Sequence, residues 1–297
     1  MQSILRYPGG KTKRKVRSLI LSHAPHGYQE YREPFVGGGG VFFSIGDDHK
    51  RWINDLNEGL VDVYLALRDR PDEFIKRCKS VQPRQPGEPD VYPTANSSGK
   101  KYNKRLKEQF DDLKFNNDED QAFRYFFINR TVWAGRVDYE RKSRLYFSNP
   151  EGWDIVATQR IEAAAEHLRN VKVTCGDYEN LLLAPGKNVW VYCDPPYMRD
   201  TKLSATDKLY AHGFTMQDHE RFAYLARKSE HKLCISYDDD PKVRQLFKGF
   251  TIIPQQWVYC GTSNEEKKIG QELLILNYPV PAGAIKTKHK PKKMAQY

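Results

Sequence analysis

The chain has 297 residues, enough to bury a sizeable core as one large domain or as a domain carrying an insert. Residues are 39% hydrophobic and 29% charged, and no apolar run nears the ~18 residues of a membrane span, which excludes an integral helical membrane protein. Lys and Arg number 48 against 38 Asp and Glu, a formal charge of +10, compatible with a polyanionic partner because neutralised phosphates release counterions.

Short apolar runs alternate with helical stretches, the pattern of an α/β sheet with helices on both faces. Helices are predicted over 12–22, 41–46, 59–68 and 154–168. A further one covers FTMQDHERFAYLARKSE, where Thr215 and Asp218 make a capping-box start ahead of the apolar Phe222, Leu225 and Ala226. Strands are predicted at Tyr31–Phe35, Arg51–Asn54, Val171–Cys175, Val189–Cys193, Lys232–Ser236 and Phe250–Pro254. A late pair, Gln255–Gly261 and Glu272–Asn277, flanks a polar stretch and reads as a hairpin.

Between about 68 and 154 the character changes. Residues 82–101 are rich in Pro, Gly and Ser and read as a loop; helical KRLKEQFDDLKF and DEDQAFRYFFINR follow, then mixed aromatic and basic residues. The expected organisation is a discontinuous domain, 1–67 and 155–280, with an insert at 68–154 and a basic, disordered tail at 281–297. The N-terminus lacks the apolar core of a signal peptide, so a cytoplasmic enzyme is expected. Cys78, Cys175, Cys193, Cys234 and Cys260 form no CxxC pair; Cys175, Cys193 and Cys234 lie in or beside strand-like runs and read as small core residues. The eight histidines do not cluster, and no metal site is expected.

The sharpest motif is VWVYCDPPY, ending in Asp194, Pro195, Pro196 and Tyr197. A strand delivers an acid to its C-terminal edge, where open α/β sheets bind ligands. The prolines rigidify the turn and leave carbonyls without neighbouring N–H donors. This set suits an amine on a flat ring. The Asp194 carboxylate and the Pro195 carbonyl each accept one N–H, which draws the nitrogen lone pair toward an electrophile, and Tyr197 stacks on the ring. Direct displacement then needs positioning and electrostatics rather than a tuned general base.

YREPFVGGGGVFFS reads as a strand, a glycine turn and a helix, although Phe42 occupies the third position of a GxGxxG and no phosphate-clamping lysine is present. Asp55 follows Gly37 by 18 residues at the end of the next strand, where a carboxylate binds a ribose diol. Such a nucleoside site suits S-adenosyl-L-methionine better than a nucleoside triphosphate. LRYPGGK places Tyr7 and Lys11 about two glycines, and CGDYENL places Asp177 and Tyr178 after a strand, where they either read the adenine of a cofactor or start a helix.

In this order, Tyr7-Pro8-Gly9-Gly10-Lys11, Glu33-Pro34-Phe35-Val36-Gly37, Asp55, Asp177 and Asp194-Pro195-Pro196-Tyr197 resemble the DNA adenine methylases of the Dam type (D12 class), over about residues 5–278. FFINRTVWAGR, GFTMQDH and CISYDDDP are similar to further blocks of that family. The resemblance implies an S-adenosylmethionine-dependent, Rossmann-like seven-stranded sheet with a reversed last strand and a helical target-recognition insert. It implies that Tyr7, Lys11, Phe35, Gly37, Gly39, Asp55 and Asp177, with Tyr178 and Asp194, line the cofactor pocket. It further implies that Asp194 to Tyr197 hold an adenine flipped from duplex DNA. A monomer in a prokaryotic or phage-infected cell is the matching expectation.

The 129–137 block matches the start of the family's DNA-contacting hairpin, but departs from the Dam pattern at Trp133, Ala134 and Arg136, which argues against carrying over GATC as the target. Trp133 is expected to contact DNA, with Arg130, Arg136, Arg141, Lys142 and Arg144 as phosphate partners, while Phe126 and Phe127 read as core. The alternatives are methylation of a cytosine 4-amino group, RNA adenine or a protein glutamine, and a catalytically silent DNA-binding protein.

Overall fold

The computed structural model describes residues 3–7, 11, 13–81, 118–132, 159–198, 213–258 and 269–285, with Lys104, Lys107, Glu108, Phe110, Asp111, Val137 and Trp153. Its strands are β1 (Glu30–Glu33), β2 (Lys50–Asp55), β3 (Val171–Cys175), β4 (Val189–Cys193), β5 (Lys232–Asp238), β6 (Thr251–Val258) and β7 (Ile269–Leu276). They form one mixed seven-stranded sheet in the order β3-β2-β1-β4-β5-β7-β6. The helices are α1 (Arg14–Ser22), α2 (Glu58–Asp69), α3 (Pro71–Lys79), α4 (Asp118–Thr131), α5 (Arg160–Leu168), α6 (Glu179–Leu183), α7 (Met216–Lys228) and α8 (Pro241–Leu246). By compactness the chain divides into Met1–Pro8, Val36–Asp47 and Arg51–Gly176 on the one hand, and Gly9–Phe35, Asp48–Lys50 and Asp177–Tyr297 on the other.

In the first unit β2 and β3 pair in parallel from Arg51↔Val171 to Asp55↔Cys175. Asn57 caps α2 by accepting the Leu60 N–H at 3.2 Å. Pro71 at its first turn, Asp72 and Glu73 behind it, and three basic residues at its end mark α3 as a helix. This helix is not among those predicted from the sequence. Around α4, Phe74, Phe123, Phe126 and Phe127 are fully buried, and Trp153 stands 5.0 Å from Phe127. The two predicted core phenylalanines are therefore core, and α3 and α4 fall in the same compact unit as β2 and β3. The helix expected at 41–46 is only a 3-10 turn, Phe42–Ser44, because Ile45 is already extended. The helix expected at 154–168 starts at Arg160; residues 154–158 lie outside those described.

In the second unit β1–β4 and β4–β5 pair in parallel, while β7 runs antiparallel to both β5 and β6, the reversed strand that the resemblance implied. β4 is buried at all five positions, which accounts for its uninterrupted apolar sequence. The predicted capping box opens α7: the Asp218 N–H donates to Thr215 Oγ1 at 3.3 Å, and the Thr215 N–H to Asp218 Oδ2 at 2.8 Å. The sequence suggested a break after Pro254, yet β6 is continuous through it. β6 lies at the edge of the sheet, where a missing proline N–H is tolerated. The β6–β7 hairpin forms as predicted.

Cys193 and Cys234 are buried, as is Cys78, but Cys175 is exposed, correcting its assignment to the core. It is the last residue of β3, where the strand runs out of cover. Cys260 and residues 286–297 of the expected tail lie outside the described residues; Ile285 donates its N–H to Ser22 Oγ at 3.0 Å. Among the described residues no His, Cys, Asp and Glu group is arranged to hold a metal, and no helix is long and apolar enough to cross a membrane.

Candidate active site

β4 ends at Cys193, and Asp194 emerges at its C-terminal edge with its side chain 26% exposed. The register carries β5 alongside, Cys193 beside Ile235, so that Ser236 follows level with Asp194. Ser236 Oγ donates to Asp194 Oδ1 at 2.8 Å, and the same oxygen pairs with Lys11 Nζ at 2.9 Å. Among the described residues both contacts fall on Oδ1, which leaves Oδ2 to accept from an incoming group. Pro195 is buried and Pro196 partly so, and one residue beyond Tyr197 the Met198 N–H donates to Asp238 Oδ1 at 3.0 Å, tying down the end of the turn.

Antiparallel β7 adds a residue that the motifs did not indicate. Its pairing sets Glu272 opposite Asp238, bringing a fully buried carboxylate to this edge. Glu272 Oε2 accepts from Lys11 Nζ at 3.1 Å and from the Tyr197 hydroxyl, and Lys11 also donates to that hydroxyl. Burial works against the charged ammonium of Lys11, but Asp194 and Glu272 outweigh it and raise the pKa. Tyr197 is expected from the sequence to stack on the ring that carries the amine. It is 5% exposed, its ring stacked on Tyr237 at 5.8 Å and the Lys11 ammonium 4.5 Å from its centroid, so it is a packed wall of the site. Ser236 and Asp238 sat unassigned within CISYDDDP. A lone acid beside the apolar run LLIL was the available signal for Glu272.

Elsewhere in this unit Phe35 packs against Tyr178 at 5.1 Å and Phe222 at 5.7 Å, forming an aromatic wall with Phe214. Asp177 is bound within the fold. Arg221 reaches its two oxygens at 2.8 and 3.1 Å, and Oδ1 accepts the Glu179 N–H at 2.8 Å at the start of α6. Partial burial would raise the Asp177 pKa, but the Arg221 contact prevails and lowers it. Of the two sequence readings of Asp177, these bonds are those of the helix start.

In the first unit the glycine run makes the close approach expected of it. Gly37 has φ +46°, its N–H donates to Asp55 Oδ2 at 2.8 Å and its carbonyl accepts the Tyr64 hydroxyl at 2.8 Å. Asp55 Oδ1 accepts the Asn57 N–H at 3.0 Å. Asp55 is thus the post that holds the loop. The N-terminal segment packs here too: a β-carbon on Gly37 would lie 2.8 Å from Tyr7 Cδ1. Asn129 clamps the segment by accepting the Arg6 N–H at 2.8 Å and donating to the Arg6 carbonyl at 2.7 Å. Arg130, expected at a phosphate, is buried and donates to the Ile4 carbonyl at 3.2 Å; a guanidinium used there closes α4 onto the N-terminal segment. Trp133, Arg136, Arg141, Lys142 and Arg144 lie outside the described residues.

The structure thus brings Lys11, Asp194 and Tyr197 together, Phe35 with Tyr178, and Tyr7 with Gly37 and Asp55. The chain is similar to the Type II methyltransferase M.MjaIII of Methanocaldococcus jannaschii, with 27% identity over 94% of this chain and 99% of that protein. It is 26% identical to a DNA adenine methylase of Vibrio cholerae, over 84% of this chain and 85% of the relative, and 26% identical to one of Salmonella typhi, over 94% and 96%. Residues 7–260, from the Tyr7 motif through the DPPY turn to the last hairpin, match the D12 class N6 adenine-specific DNA methyltransferase family, and the chain belongs to that family.

Proposed function

We propose that this DNA adenine methyltransferase uses S-adenosyl-L-methionine as its methyl donor and acts on an adenine extruded from duplex DNA. The observation that carries the reading is the Asp194 carboxylate, anchored through Oδ1 by Ser236 and Lys11. In this reading Oδ2 and the Pro195 carbonyl accept the two hydrogens of the 6-amino group, Pro196 stiffens the turn, and Tyr197 walls the pocket. Fixing both hydrogens turns the nitrogen lone pair out of conjugation before attack, and the rigid anchors spare reorganisation in the transition state. The bound donor supplies an electrophilic methyl on a sulfonium.

The donor set fits such a nucleoside. Tyr7, Gly37, Gly39 and Asp55 offer a glycine turn beside a carboxylate, and Phe35 and Tyr178 offer aromatic faces. Asp177 fixes the start of α6, and Lys11 holds Asp194. Trp133, Arg136, Arg141, Lys142 and Arg144 are assigned to the duplex, with a basic chain of +10 behind them. The test is transfer of labelled methyl from S-adenosylmethionine to methylase-free genomic DNA, mapped at single-base resolution. Label on adenine within one short motif, lost in Asp194→Ala while DNA affinity persists, is the expected result. Asp194→Ala turning over at the wild-type rate would remove the site assignment.

A further inference from the structure

Lys11 poses an electrostatic problem. During transfer the N6 lone pair forms the new N–C bond while the C–S bond breaks and its electrons return to sulfur. The nitrogen therefore becomes cationic before its proton passes to Asp194 Oδ2. An ammonium 2.9 Å from Asp194 opposes that charge: a one-to-one Lys11–Asp194 pair is neutral, and its carboxylate is a poorer acceptor for a cationic amine. The structure supplies a second carboxylate. Glu272 is fully buried, lies 3.1 Å from Lys11 Nζ, and is fixed by the Tyr197 hydroxyl.

We infer that Glu272 is a positioning residue for methyl transfer, the counter-charge that shares Lys11 with Asp194 and keeps the Asp194–Lys11–Glu272 cluster net negative toward the target amine. Lys11 then anchors Asp194 Oδ1 without cancelling its charge. Tyr197 is the third partner: its hydroxyl donates to Glu272 and its ring lies beside the ammonium, so that the end of the DPPY turn is bound to β7. Glu272 reaches this edge because β7 is antiparallel and its register sets it opposite Asp238. The inference rests on the assignment of Asp194 as the amine acceptor.

The test compares wild type, Glu272→Gln, Glu272→Asp and Asp194→Ala in single-turnover methyl transfer under saturating donor and DNA, with thermal melting and both affinities measured. Glu272→Gln keeps the shape of the side chain and removes its charge. Its expected transfer rate at neutral pH is about 30-fold or more below wild type, with DNA affinity within about threefold. Its rate then climbs with pH. With Glu272 neutralised, Asp194 remains to oppose the burial of Lys11, whose ammonium lies over the Tyr197 ring; loss of the Lys11 proton restores the net negative charge. Wild type, with both acids present, stays flat over the same range. Glu272→Asp keeps the charge, and a rate within about tenfold of wild type with a flat profile is expected.

A wild-type rate in Glu272→Gln overturns the inference. So does a loss that is equal in the Asp and Gln variants and insensitive to pH, which marks a packing role. If the Gln variant does not melt cooperatively, the Asp variant decides: a rate as low as that of Asp194→Ala overturns the proposal. Should Asp194→Ala itself retain full activity, the underlying site assignment fails, a result distinct from failure of the Glu272 role alone.

Discussion

The ring of Tyr7 lies so close over Gly37 that a β-carbon there would stand 2.8 Å from Cδ1, with the Gly37 backbone already in the left-handed region at φ +46°. Both facts require glycine, one for space and one for backbone conformation. Gly37→Ala is expected to cost about 1–3 kcal/mol of stability and to weaken donor binding more than tenfold, because the loop must shift away from Asp55 or displace Tyr7. Thermal melting and calorimetric titration with S-adenosylmethionine check both parts; unchanged donor affinity would separate this loop from the cofactor site.

Asn129 holds the same segment from the other side through its two hydrogen bonds to the Arg6 backbone. Asn129→Ala removes both of these bonds from the part-buried Arg6 backbone, at about 1–3 kcal/mol. Because Tyr7 follows directly, donor affinity is expected to fall although Asn129 itself lies on α4, and hydrogen exchange at residues 3–7 is expected to accelerate. Exchange that stays at the wild-type rate would show that Arg130 and Arg160 suffice to hold the segment.

His219 is fully buried on α7 beside the Tyr237 hydroxyl, and burial lowers its pKa to about 4 from 6.5. The folded state thus holds His219 neutral, whereas the unfolded chain binds a proton at its ordinary pKa. This contribution is fully present above about pH 6.5 and is lost as pH falls toward 4, amounting to about 3 kcal/mol at most. His167 and His231 are shifted in the same direction, chiefly by burial. Denaturant melts of wild type and His219→Gln between these pH values are expected to show a shallower acid slope in the variant. Parallel slopes would assign the acid sensitivity to the other two histidines.

Much of the fold was legible in order along the chain. The Thr215 and Asp218 capping box, the five-residue apolar run of β4 and the alternation of strands with helices are local signals, and local hydrogen bonding and burial periodicity honour them. Places where the reading failed are those where position in the sheet decides. Pro254 breaks a central strand but not an edge strand, and Cys175 belongs to a buried type yet stands at an uncovered strand end.

For the site, the sequence by itself supplied the candidate residues: an acid, two prolines and an aromatic after a strand, a glycine turn, and carboxylates at strand ends. It could do so because the residue types that bind an amine or a nucleoside occur as contiguous motifs. Only the tertiary structure decided what surrounds them. Arg221 meets Asp177 from 44 residues away, and Glu272 reaches Lys11 across 261 residues of chain. A buried carboxylate shared by two donors is fixed by strand register and burial, and neither is written in the neighbouring residues.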